Sequence, residues 1–170
     1  AAAFYPLEFA LEQIGGERLS ITSLTQPGAE PHDVELTPRQ VAELANAELV
    51  VYLEHFQPAV DDAVASVATG SSLDVSSAAD LTLTAADHGH DHGDEEDQEG
   101  EGSGVVDPHF WLDPTRYASV AEAIRDRLIE LDPDGADQYS AAAAAFTQEL
   151  TDLDEEFSSA LQQCRHRDLV

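Results

Sequence analysis

An α/β lobe built on a parallel sheet and followed by one long helix is the fold class that this 170-residue sequence predicts. Three observations carry that expectation. Stretches that read as strands alternate with stretches that read as helices, the order that βαβ units produce. The stretch AELVVYL, residues 47–53, has a continuous apolar run without alternation after Glu48, as suits a strand buried on both faces of a parallel sheet. Residues 136–164 contain neither Gly nor Pro, while Tyr139, Ala143, Phe146, Leu150, Leu153, Phe157, Leu161 and Cys164 recur at steps of three and four.

Taken in order, RLSITSL (Arg18 to Leu24) alternates β-branched and polar residues and predicts a strand, which runs into the turn-rich QPGAEPHD. Thr37 offers an N-cap and Pro38 a first helical position for a short helix with Val41, Leu44 and Ala45 inward. After the strand at 47–53, a second helix is predicted from about Gln57 to Val67, burying Val60, Ala63, Val64 and Val67, and SLDVS at 72–76 is a weaker strand. Past a low-complexity stretch, DPHFWLDP leads into a helix with Asp113 as cap and Pro114 at its first position. Val120, Ile124, Leu128 and Leu131 share one face of it. Asp132 and Pro133 repeat the start signal for the long helix. About 30 residues would reach about 45 Å, more than a lobe of this size needs, so the helix is expected to lead to another lobe, opened by HRDLV. The predicted organisation is an α/β lobe over residues 1–132 with a flexible His/acidic loop at 87–104, an inter-lobe linker helix over 133–165, and the start of a C-terminal lobe at 166–170. Both ends of the chain read as cuts into a larger structure.

Hydrophobic residues make up 42% of the chain, enough for a buried core, but 35 acidic residues face only seven basic ones, all arginine, for a formal charge of −28. A surface of that sign repels nucleic acid and anionic lipid and attracts cations. A salt-adapted or GC-rich source would give the same bias. The single cysteine, Cys164, allows no internal disulfide and no CxxC motif, and its place in the apolar series predicts that it packs there. No run of 18 apolar residues occurs.

Histidine carries the chemistry. His32 in EPHD and His109 in DPHF each follow a proline in turn-like segments beside regular elements, where a parallel sheet gathers ligands. Neutral imidazole is a common zinc ligand, and a tetrahedral site needs three or four donors, so this pair would make half a site. DHGHDHGDEEDQEGEG, residues 87–102, places His88, His90 and His92 around Asp91 and ahead of Asp94. A Gly-rich backbone permits many coordination geometries, yet ordering it costs about 1 to 2 kcal/mol per residue, so weak auxiliary capture of divalent cations is expected there, or only solubilisation. His166 lies between two arginines after the long helix and reads as a helix-dipole partner.

The strings FYPLEFALEQIGGERLSITSL, PGAEPHDVELTPRQVAELANAELVVYL, FQPAVDDAV, the His/Asp-rich loop and VDPHFWLDPTRYASVAEAIRDRLIELDPDGADQY resemble, in order, the metal-binding solute-binding proteins of zinc and manganese ABC importers. The resemblance implies a two-lobed receptor outside the cytoplasmic membrane, a periplasmic protein or surface lipoprotein, with one metal ion held between lobes joined by a rigid helix. His32 and His109 would be the ligands from the first lobe, with a third histidine and a carboxylate or water beyond Val170. Glu54 and His55 stand where the family tends to have small residues, either near the metal or as a solvated loop pair. The implied function is a Zn²⁺ receptor that hands its cargo to a membrane permease, acting as a monomer and making no bond. Alternatives are a Mn²⁺ or Fe²⁺ receptor, a metal-buffering or adhesive surface protein, and a zinc hydrolase using Asp33 or Asp107 as base, against which stands the lack of HExxH, nucleophile-elbow and phosphate-loop motifs. With two ligands only, residues 1–170 are expected to bind zinc poorly at the cleft site.

Overall fold

The computed structural model describes residues 1–26, 28–81, 106–162 and 164. The expectations for His88, His90, Asp91, His92, Asp94 and His166 lie outside those residues. At the centre is a small parallel sheet. Strand β1 (Val50–Tyr52) pairs with β2 (Ser72–Asp74), Val51 opposite Leu73. Ala2 bridges in parallel to Val51 on one side and to Ser23 on the other, so the order across the sheet is Ser23, Ala2, β1, β2. Val50 and Val51 are fully buried, as an uninterrupted apolar run requires when helices cover both faces.

The strand expected at 18–24 reduces to the single bridge at Ser23, preceded by a 3₁₀ turn over Gly16–Arg18. Among the described residues its partner is the short segment before the first helix. Ala2 N–H donates to the Thr22 carbonyl and Leu24 N–H to that of Ala2, but Phe4 already caps the helix, so the ladder stops. That helix, α1 (Tyr5–Gly15), was not anticipated. It begins with Pro6 in its first turn, buries Leu7, Ala10, Leu11 and Ile14, and ends where Gly16 takes a positive φ of 52°.

Helix α2 (Pro38–Ala45) starts at a complete capping box: Thr37 Oγ1 accepts from Gln40 N–H, and Gln40 Oε1 accepts from Thr37 N–H at 3.0 Å. Leu44 is its buried residue, whereas Ala45 is exposed. Helix α3 (Pro58–Ala63) runs into a π-helical turn over Val64–Ala68. The wider turn shifts the helix phase, so Ala68 is buried and Val67, expected inside, is 39% exposed. The short α4 (Ser76–Ala79) follows β2.

Helix α5 (Pro114–Leu131) is capped by Asp113, which accepts from the N–H groups of Thr115 and Arg116. Val120, Ile124 and Leu128 are buried, while Leu131 at its last position borders an open cavity of about 840 Å³ shared with Leu11 and Leu19. Helix α6 (Ala136–Leu161) is the long helix, 26 residues and about 39 Å. Its first half belongs to the core: Tyr139, Ala143, Phe146 and Leu150 are buried, and the Phe146 ring stands 5.8 Å from Phe9 of α1 and 5.4 Å from Tyr117 of α5. Tyr117 in turn donates to the Pro6 carbonyl at 2.6 Å, which locks α5 to α1. Along the second half Leu153, Phe157 and Leu161 are exposed. Cys164, expected to pack on this stripe, is exposed as well, because the described elements cover α6 only as far as Leu150.

Candidate metal centre

Ala2 lies between Ser23 and β1, so the chain leaves neighbouring segments of the sheet toward opposite sides. Such a switch point opens a crevice at the carboxyl ends of the strands. Into this end run the loop after Ser23, which carries His32, and Leu53 to Phe56 after β1.

His32 occupies a 3₁₀ turn, Pro31–Asp33, and its N–H donates to Glu30 Oε1 at 3.3 Å. Its ring stands edge-on to Phe56, centroids 4.6 Å apart. His109 immediately precedes a second 3₁₀ turn, Phe110–Leu112, and its ring stands 5.1 Å from Trp111. Beneath both rings, Phe4, Phe56 and Trp111 pack at 4.8 to 6.0 Å from one another, which fixes the walls of the pair.

Asp107 Oδ1 accepts from His109 N–H at 3.0 Å and lies 2.6 Å from His109 Nδ1. The backbone N–H first, then the ring nitrogen, hold the Asp107 carboxyl below the usual carboxylate range. An ionised carboxylate only accepts, so in a neutral His109 ring this contact puts the proton on Nδ1 and leaves the Nε2 lone pair for a metal ion. Asp107 Oδ1 is thereby engaged with both the backbone and the ring of His109.

The two imidazole centroids are 5.7 Å apart with ring planes at 60°. Two imidazoles bound to one zinc ion at Zn–N of about 2.1 Å and a tetrahedral angle place their centroids about 5.4 Å apart. The separation needs only a few tenths of an ångström of adjustment. Among the described residues, no group of three or more His, Cys, Asp or Glu side chains is arranged to share a metal ion. The spacing of the two rings is compatible with their supplying two donors to one ion.

Glu54 and His55 are exposed, and what they contribute to the structure is backbone: Glu54 N–H donates to Asp74 Oδ1 and His55 N–H to Asp61 Oδ2, both at 3.0 Å. His55 has a φ of 68°, in the left-handed region. Burial pushes the Asp61 carboxyl up, against the pull of that N–H, and its Oδ1 is buried without a partner.

Sequence reasoning missed the partners of both histidines. The Asp107-x-His109 spacing was the available signal for one. For the other, Gln57, 1% exposed, donates from Nε2 to the Pro31 carbonyl at 2.7 Å and to Thr25 Oγ1 at 3.1 Å.

The pattern of one family, described as zinc-uptake complex component A, periplasmic, matches residues 1–170. The chain belongs to this family. It is 28% identical over 176 residues to the zinc-binding protein AdcA of Streptococcus pyogenes, covering 98% of this chain and 34% of that one. It is 34% identical over 156 residues to the manganese-binding lipoprotein MntA of Halalkalibacterium halodurans, covering 90% and 46%. The crystal structure of Zn(II)-bound AdcA from Streptococcus pneumoniae superposes with a TM-score of 0.78 at 26% identity, over 98% of this chain and 33% of that one. The chain thus spans between 33% and 52% of the length of such curated relatives. The α/β class, with a parallel sheet, flanking helices and a long linking helix, stands as expected.

Proposed function

We propose that the chain is the first lobe of an extracytoplasmic Zn²⁺ receptor that delivers its cargo to the membrane permease of an ABC importer. In this reading residues 1–132 are the metal-binding lobe, 133–165 the inter-lobe helix and 166–170 the beginning of the second lobe. His32 and His109 bind the ion through neutral imidazole, and the second lobe completes the shell. The observation that carries this is the 5.7 Å separation of two imidazoles from distant loops, seated on one aromatic floor. Family membership and the zinc-binding relatives support it. His88, His90, Asp91, His92 and Asp94 act as an auxiliary, weaker capture segment. The receptor works as a monomer.

The manganese-binding relative favours a second reading, the same receptor with Mn²⁺ as cargo. Manganese prefers oxygen-rich shells, so the two donors outside this chain decide between the ions. Calorimetry on the complete two-lobed protein with Zn²⁺ and Mn²⁺ tests both. His32→Ala with His109→Ala should abolish tight binding while leaving weak sites in the 87–104 segment. Retained tight binding in the double variant would overturn the assignment.

A further inference from the structure

Tyrosines apart, Gln57 is the one buried residue with a polar side chain among the described residues, and its amide is directed at the backbone of the His32 turn. Of the hydrogen bonds described for residues 29–34, its bond to the Pro31 carbonyl is the one that leaves the loop; the others, from Ala29 N–H to Gln26, His32 N–H to Glu30 Oε1 and Asp33 N–H to the Glu30 carbonyl, are internal. The second Gln57 hydrogen goes to Thr25 Oγ1, whose own proton goes to the Ala3 carbonyl at 2.8 Å. One amide therefore joins the middle of the sheet at Ala3, the exit of the neighbouring segment at Thr25, the histidine turn at Pro31 and the start of α3 at Pro58. Consecutive residues serve the two parts of one ligand, since Phe56 flanks the His32 ring and Gln57 holds its backbone.

We propose that Gln57 is a positioning residue for metal capture, which tethers the Pro31 carbonyl so that the His32 ring faces His109 before any ion arrives. This rests on the zinc-receptor reading. An imidazole already at ligand distance loses little freedom when the ion binds; groups bonded directly to a ligand ring are commonly worth 10- to 100-fold in affinity, and Gln57, which acts one step further out on the backbone of the turn, is expected at the lower end of that range. A carboxylate in place of the amide would present two acceptors to a carbonyl and a hydroxyl that is already donating, so shape alone does not serve.

The test compares the complete two-lobed protein with Gln57→Met, Gln57→Glu and Ile124→Val, the last a core change in α5 away from the loop. Zinc affinity is measured by competition with a chromophoric chelator, and the metal-free His32 ring is followed by its ¹H–¹⁵N correlations. Both Gln57 variants should bind zinc at least about tenfold more weakly and show a broadened or split His32 signal, with His109 unchanged. Ile124→Val should lower thermal stability yet bind as wild type. Should Gln57→Met fail to fold, Gln57→Asn, which keeps the amide but withdraws it by one methylene from the Pro31 carbonyl, carries the same comparison. Affinity within twofold of wild type in the Gln57 variants, or an equal loss in Ile124→Val, overturns the positioning role. If instead wild-type binding survives His32→Ala, it is the receptor reading that fails.

Discussion

The same substitution made twice in one helix separates the part of α6 that belongs to the lobe from the part that does not. Phe146 is 4% exposed between α1 and α5, whereas Phe157, eleven positions on, is 56% exposed. Phe146→Ala removes a buried ring and its edge contacts to Phe9 and Tyr117, which costs about 3 to 5 kcal/mol. Alanine is the better helix former by roughly 0.5 kcal/mol, a gain common to both sites. At Phe157 little burial is lost to oppose it, so Phe157→Ala should be neutral or slightly stabilising in residues 1–170. At about 2 to 4 °C per kcal/mol for a chain of this size, the two melting temperatures should differ by about 6 to 20 °C. Urea unfolding of the 170-residue chain, followed by helical circular dichroism and by Trp111 fluorescence, gives the free energies directly. A loss below about 1.5 kcal/mol for Phe146→Ala, or equal losses at both sites, would show that α6 is not anchored as described.

Two further outcomes follow from the polar groups. Asp107→Ala frees the His109 ring to adopt either tautomer and should weaken zinc binding by about 10- to 100-fold with little change in melting temperature; unchanged affinity would mean that the Asp107 contact does not orient the ligand. The Asp113 carboxyl is held low, first by the Thr115 hydroxyl, so its stabilising effect is full above the unfolded carboxylate value and disappears as pH falls through the lower folded value. Asn remains a good N-cap, so Asp113→Asn should reduce the slope of stability against pH on the acid side; parallel acid limbs for the two proteins would refute it.

Local rules located the elements whose signals are local. Thr37, Pro38, Asp113 and Pro114 announce α2 and α5 because capping is decided within four residues, and the apolar run around Val50 announces β1 because both faces are buried. The strand at 18–24 failed for a non-local reason: its pairing depends on how much of residues 1–3 remains extended before α1. Val67 was misplaced because nothing in VASVA marks a π-helical turn. At the site, Pro31-His32 and Pro108-His109 stood out in the sequence, and their nearness in space could be inferred only through resemblance. Gln57 was invisible, since an amide before a proline looks like any loop residue until its partners, 26 and 32 positions away, are known.

The uneven burial of α6 gives it the mechanics of a cantilever. Between Leu150, its last buried residue, and Leu161 no described element covers the helix for about 16 Å, and a tilt of about 5° at the root would carry the tip by about 1.4 Å. Metal–ligand bonds tolerate about 0.2 Å. In the proposed receptor, a donor carried beyond the tip would reach the His32–His109 pair accurately only if something clamped the arm, and Leu153, Phe157 and Leu161 are the exposed apolar stripe nearest that tip. Changes on that stripe, far from either histidine, should therefore register as changes in how tightly the ion is held.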